Sequence, residues 1–189
     1  MKDLFSLAAE LQHFFLQNGW RFCFIGGLAL QRWGENRITR DIDLVLMTGF
    51  GHEVTYVDHL LANYTPRRED AREFALQYRV LLLKSNFGIG IDISLAALQF
   101  EEEIITRATD FEFQPGVPIR TCSSEDLVVL KAFASRPQDW VDIRGILIRQ
   151  KLHLARGAII NRLSPLVELK EEPQILDRLQ ELYREIPSK

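Results

Sequence analysis

The sequence predicts a mixed α/β fold of the α+β kind, with a mixed β-sheet core, helices packed on it, and a C-terminal helical region. Three observations predict it. Short runs rich in β-branched and aromatic residues alternate with amphipathic helical segments through the first two-thirds of the chain. Beyond about residue 120 only helical periodicity continues. A length of 189 residues with 47% hydrophobic content suffices for one well-buried core and a small appended lobe. The expected division is residues 1–120 as the α/β core and residues 121–189 as a helical region packed on it.

Leu7, Leu11, Phe14 and Phe15 recur at helical spacing from Leu4, with Asp3 as N-cap and Gly19 as the stop. Residues 21–25 form a short strand that breaks at Gly26-Gly27, and LALQRW continues as a short helix. Residues 41–47 alternate: Ile42, Leu44 and Leu46 share one face of a strand, while Asp41, Asp43 and Val45 share the other. A helix over residues 54–62 leads to a polar connection at 65–72. Strands at 78–84 and 89–95 are joined by the short link 85–88, and the second places Gly90, Asp92 and Ser94 on the face opposite its isoleucines. A helix at 99–108 precedes an edge-type strand at 111–113 that ends at Pro115-Gly116. Ser123-Ser124-Glu125-Asp126 caps the next helix, Pro137 opens another, and helical patterns follow at 156–169 and 174–183.

A net charge of −3 excludes a chain whose whole surface is a cationic platform for nucleic acid. Cys23 and Cys122 show no metal-type spacing and read as two reduced thiols of a cytosolic protein. His13, His52, His59 and His153 lack zinc-ligand spacing. The opening residues carry no basic stretch followed by a continuous apolar one, and no segment reaches the roughly 18 apolar residues of a membrane span. The expectation is a soluble cytoplasmic chain with no membrane partner. The absence of GxxxxGK[ST] and GxSxG excludes P-loop and serine-hydrolase chemistry.

Asp41 and Asp43 on one strand, with Asp92 on a later one, gather three anionic groups on one sheet face if the strands adjoin. Such clustering is unfavourable without a cation. Mg²⁺ takes oxygen ligands and commonly joins carboxylates to substrate phosphates, so the trio suits two-metal phosphoryl-transfer chemistry. On spacing alone, solvent-facing acids of an edge strand fit equally well. The strand that enters Gly26-Gly27 and continues as a helix adds the geometry in which backbone N–H groups cradle phosphate.

The run FIGGLALQRWGENRITRDIDLVL resembles the signature of the DNA polymerase β-like nucleotidyltransferase superfamily, and within it the small prokaryotic AbiEii-like toxin branch. The matching positions are Gly26, Gly27, Gly34, Arg37, Thr39, Asp41 and Asp43, with Asp92 in GIGIDISLA as the third carboxylate. SSEDLVVLKAFASRPQDWVDI is similar to that branch's following helix pair, with Lys131, Arg136, Asp139 and Asp142 as its polar positions. The resemblance spans about residues 20–145. Many members carry Ser after the glycine pair, where this chain has Leu28.

The resemblance implies a nucleotidyltransferase core that moves an NMP from a nucleoside triphosphate to an acceptor hydroxyl on RNA (tRNA) or protein. Asp41, Asp43 and Asp92 would hold two Mg²⁺ ions, and Asp92 would also accept the acceptor's proton. Gly26, Gly27, Arg37, Thr39 and Lys131 would bind the nucleotide's phosphates, although Lys131 also fits a lysine lying along Leu127 and Leu130. A toxin–antitoxin role with a cognate antitoxin follows from the branch. The alternatives are an antibiotic-modifying nucleotidyltransferase and a catalytically silent nucleotide- or protein-binding module. Arg136, Asp139 and Asp142 read as an ion-pair network, and Arg144, Arg149, Lys151, Arg156 and Arg162 as solvated helix faces. Trp20, Trp33 and Trp140 read as core residues.

Overall fold

A computed structural model describes residues 4–186, so the expected N-cap Asp3 lies outside the described residues. The chain divides into two compact units: residues up to Leu28 together with Ile38–Cys122, and Ala29–Arg37 together with the chain from Ser123 onward.

The first unit runs α1 (Leu4–Gln17), β1 (Phe22–Phe24), the start of α2 (Gly26–Trp33), β2 (Asp41–Met47), α3 (Glu53–Asn63), β3 (Thr65–Pro66), α4 (Ala71–Tyr78), β4 (Val80–Lys84), β5 (Gly90–Ala96), α5 (Gln99–Arg107), β6 (Thr109–Gln114) and β7 (Val117–Thr121). Among the described residues the strands form one seven-stranded sheet in the order β3-β4-β5-β2-β1-β7-β6. β2 lies parallel to β5 and antiparallel to β1, and β1 lies parallel to β7. The remaining pairs, β3–β4, β4–β5 and β6–β7, are antiparallel.

Strand alternation decides what each sheet face holds. Ile42, Leu44, Leu46, Leu81, Leu83, Ile91 and Ile93 are buried in one cluster with Leu7, Leu11 and Phe15 of α1, Val57 and Leu60 of α3, and Ala71 and Ala75 of α4. Removing these side chains from water is the main stabilising term and leaves the opposite face of β2 and β5 to carry polar groups. Trp20 packs on this core, its ring centroid 4.9 Å from that of Tyr56 and 5.8 Å from that of Phe15.

Two expectations need correction, and one strand is added. The polar connection at 65–72 is instead the edge strand β3 and the start of α4, with Thr65 opposite Lys84 and Pro66 opposite Leu83. Pro66 is tolerated there because an edge strand need not donate on both sides. The strand expected from Tyr78 begins at Val80, since Tyr78 ends α4 and Arg79 reverses the chain in a left-handed conformation at φ 56°. The edge-type strand, β6, ends just before Pro115-Gly116 as expected, and that turn, with Gly116 at φ +75°, leads into the strand β7 that was not expected.

The second unit holds the rest of α2 with α6 (Ser124–Ala134), α7 (Pro137–Gln150), α8 (Arg156–Lys170) and α9 (Gln174–Glu185). Ser123 caps α6 as expected, its Oγ accepting the Asp126 N–H at 3.1 Å. Leu127, Val128, Ile143, Ile146, Leu147, Ile159, Leu163, Ile175 and Leu179 are buried. Trp140 is buried too and donates from Nε1 to Ser135 Oγ at 3.1 Å. Trp33 is only half-buried, with the Arg32 guanidinium 4.0 Å over its ring. Among the described residues no helix is long and apolar enough to cross a membrane.

Candidate active site

The carboxylates meet because β2 and β5 are adjacent and parallel. Asp43 stands opposite Asp92, and Asp41 stands opposite Gly90, so all three acids share one face. β4 extends the same rows: Leu82 opposes Asp92 and Lys84 opposes Gly90. The face passes from exposed at Asp41 and Lys84, through half-buried at Asp43 and Asp92, to buried at Val45. It is most open at the Asp41 end.

Two glycines make room for the acids. A Cβ at Gly26 would lie 2.1 Å from Asp43 Oδ2, and one at Gly90 would lie 2.1 Å from Asp41 Oδ1. Gly26 also has φ +58°, a conformation that disfavours any side chain. Gly27 is packed against Thr39, whose Oγ1 would sit 2.3 Å from a Cβ there and which donates to the Asp41 carbonyl at 3.2 Å. The Ile25 N–H donates to the Asp43 carbonyl at 2.9 Å, so the β1–α2 turn is stitched to the acidic strand. Gly26→Ala is therefore expected to cost about 2 kcal/mol of stability and to dislodge Asp43. Urea unfolding would check the first effect and metal binding the second.

The structure adds a residue that the sequence reading passed over. Arg67 follows β3, its N–H donates to the Leu82 carbonyl at 3.0 Å, and its Nη2 is ion-paired with Asp92 Oδ1. Nη1 lies 3.1 Å from the point a Gly90 Cβ would occupy, so guanidinium and Asp41 carboxylate both close over that glycine. Burial pushes the Asp92 carboxyl above the usual carboxylate range. Arg67 opposes that shift, while Asp43 and Asp41 add to it as like charges.

A purely oxygen donor set of coupled carboxylates, with side-chain-free glycines beside two of them, fits a hard divalent cation. Among the described residues, however, no three acidic, histidine or cysteine side chains stand in a ready-made metal-binding arrangement. Asp92 Oδ1 is turned to Arg67, so a cation among the trio would compete with that guanidinium for the carboxylate.

Lys131 and Arg37 lie in the second unit and meet each other through Asp142. Lys131 is buried, with Nζ 2.6 Å from Asp142 Oδ2 and 3.3 Å from Asp139 Oδ1. Arg37 donates from Nε and Nη2 to the two Asp142 oxygens, each at 3.2 Å, and Gln138 adds a third donor at 2.9 Å. Arg136 Nε pairs with Asp139 Oδ2 at 2.7 Å. The ion-pair network expected at Arg136, Asp139 and Asp142 is present, and it also engages both Lys131 and Arg37. Leu28 is fully buried within the hydrophobic core of the first unit, so the position after the glycine pair supplies packing there. The arginines read as solvated faces are partnered as well: Arg144 with Glu185, Arg162 with Asp126, Arg149 with the Gly34 carbonyl and Arg156 with the Tyr183 carbonyl.

Among solved structures, an antigenic nucleotidyltransferase-like protein from Paracoccidioides brasiliensis shares this fold. Its TM-score is 0.54 at 14% identity, over 94% of this chain and 92% of that one. The solution structure of the antibiotic-resistance factor ANT(2'')-Ia matches with a TM-score of 0.45 at 15% identity, over 94% and 99% of the two chains. No curated protein sequence matches the chain. Residues 7–185 match the family described as nucleotidyl transferase AbiEii toxin of type IV toxin–antitoxin systems, and with that span, the shared fold and the paired aspartates, the chain belongs to the AbiEii nucleotidyltransferase family.

Proposed function

We propose that this nucleotidyltransferase works at the Asp41–Asp43–Asp92 face, transferring an NMP from a nucleoside triphosphate to a hydroxyl on RNA or protein as the toxin of a toxin–antitoxin pair. The observation that carries the reading is the in-register pair Asp43 and Asp92 on adjacent parallel strands, with Asp41 on the same face. Mg²⁺, when bound, supplies charge neutralisation at the phosphates and at the attacking and leaving oxygens. Asp41 and Asp43 are the residues that would hold it, with Asp92 joining once released from Arg67. Asp92 also suits proton acceptance from the acceptor hydroxyl, because burial and two neighbouring carboxylates raise its proton affinity. The Gly26-Gly27 turn at the head of α2 offers backbone N–H groups to phosphate, with Thr39 bracing the turn. Lys131 and Arg37, expected from the resemblance to bind phosphate, both hold Asp142, and nucleotide affinity of Lys131→Gln and Arg37→Gln would read whether either also binds the nucleotide.

The test is incubation with each α-labelled NTP and Mg²⁺ over bulk tRNA, lysate protein and aminoglycosides, with Asp41→Ala plus Asp43→Ala as control. Label is expected on RNA or protein with one NTP preferred. Label on the aminoglycosides alone would assign the chain to antibiotic modification, and none above control would refute transfer to these acceptors.

A further inference from the structure

Three acids on one sheet face repel one another unless a cation sits among them. In this fold the chain itself provides one. The edge pairing of β3 brings Arg67 alongside Leu82, Leu82 stands opposite Asp92, and Asp92 stands opposite Asp43, so one row across four chain segments places the guanidinium at the carboxylates. Gly90 completes the arrangement, since any side chain there would collide with Asp41 and press on Arg67. The neighbouring Arg68 and Arg72 pair instead with Asp70 and Asp58, single acids outside the sheet. Arg67 and Asp92 keep about a third of their side chains exposed, 30% and 33%, so the pair is reachable from solvent. A partly exposed pair of this kind contributes little to folding and is readily exchanged.

We propose that Arg67 is the resident cation of this site: it holds Asp92 while no divalent metal is bound, and turns to the phosphate tail of the nucleotide when the carboxylates take up metal. The proposal rests on the metal-dependent reading of the same trio. One guanidinium brings a single charge and five planar donors, a poor match for three carboxylates and a good match for phosphate oxygens. Arg67 therefore competes with metal and assists nucleotide, and its removal moves the two affinities in opposite directions. A bridge that merely braces β3 would move neither.

The experiment uses the full chain and its Arg67→Gln and Arg67→Lys variants. Mn²⁺ affinity is read from the free-ion EPR signal, and affinity for α,β-methylene nucleoside triphosphates is read at saturating Mn²⁺. Arg67→Gln is expected to bind Mn²⁺ about tenfold more tightly and the triphosphate about tenfold more weakly, the effect of one charged contact in a half-exposed site. Arg67→Lys, which keeps the charge and loses the fork, is expected to fall between, and it carries the test if the glutamine variant folds poorly. Unchanged affinities, or both moving the same way, would overturn the proposal alone. Equal Mn²⁺ binding by the wild-type chain and the Asp41→Ala plus Asp43→Ala control would overturn the metal site itself.

Discussion

Asp43→Asn is expected to lower nucleotidyl transfer by about three orders of magnitude, because on the proposed function it would remove one of the carboxylates that hold metal, and with it several kcal/mol of transition-state stabilisation at ~1.4 kcal/mol per tenfold. Asp43 is the centre of the trio, opposite Asp92, two residues from Asp41 and packed against Gly26. Asparagine has nearly the same shape, so the β1–α2 turn should survive while the anionic charge is lost. Removing one of three mutually repelling charges should leave the thermal midpoint equal or higher. Single-turnover transfer and thermal unfolding on the same preparation check both halves. Loss of activity with loss of fold would mean that Asp43 acts through structure.

Lys131→Met is expected to destabilise the second unit by about 3 kcal/mol, since breaking a buried ion pair leaves uncompensated charge in a low-dielectric interior. Lys131, Asp139 and Asp142 are all buried, with 6%, 4% and 3% of their side chains exposed, and the ammonium bridges both acids. Burial pushes the Asp142 carboxyl upward, but hydrogen bonds from Lys131, Gln138 and Arg37 outweigh it and hold the carboxyl below its ordinary range. A folded-state value below the unfolded one adds stability above the ordinary carboxylate range, and that contribution fades as pH falls through the lowered value. Urea unfolding at about pH 7 and about pH 3 should therefore show a smaller acid-induced loss from this site in Lys131→Met than in the wild type. Equal stability of the two proteins at neutral pH would show that Arg37 and Arg136 satisfy the acids without the lysine.

The acidic face was legible because strand alternation is local. Asp41 and Asp43 sit between Ile42, Leu44 and Leu46, and Asp92 between isoleucines, so parity alone puts each acid opposite a buried aliphatic row. Which strands adjoin is a non-local matter, and the in-register contact of Asp43 with Asp92 depends on pairing across some fifty intervening residues. Arg67 escaped notice because β3 is a two-residue edge strand containing a proline, without the apolar alternation that marks a strand. β7 escaped for a related reason: Val117, Ile119 and Thr121 share its inner face, but the strand is only five residues long and contains a proline, Pro118. Lys131 could be placed on a helix from sequence, but periodicity could not tell that acids from α7 would meet its ammonium. Arg37 likewise sits in an irregular segment whose partner, Asp142, lies 105 residues away.

On the proposed function, Asp41, Asp43 and Asp92 direct attack at the α-phosphorus of a nucleoside triphosphate. The most direct measurement follows α- and γ-labelled forms of the preferred NTP in parallel, with Mg²⁺, for the wild-type chain and for Asp43→Asn and Asp92→Asn. The α label should pass to the acceptor, the γ label should leave as pyrophosphate, and both events should disappear in either variant. Transfer of the γ label to the acceptor, or undiminished transfer of the α label in both variants, would contradict it.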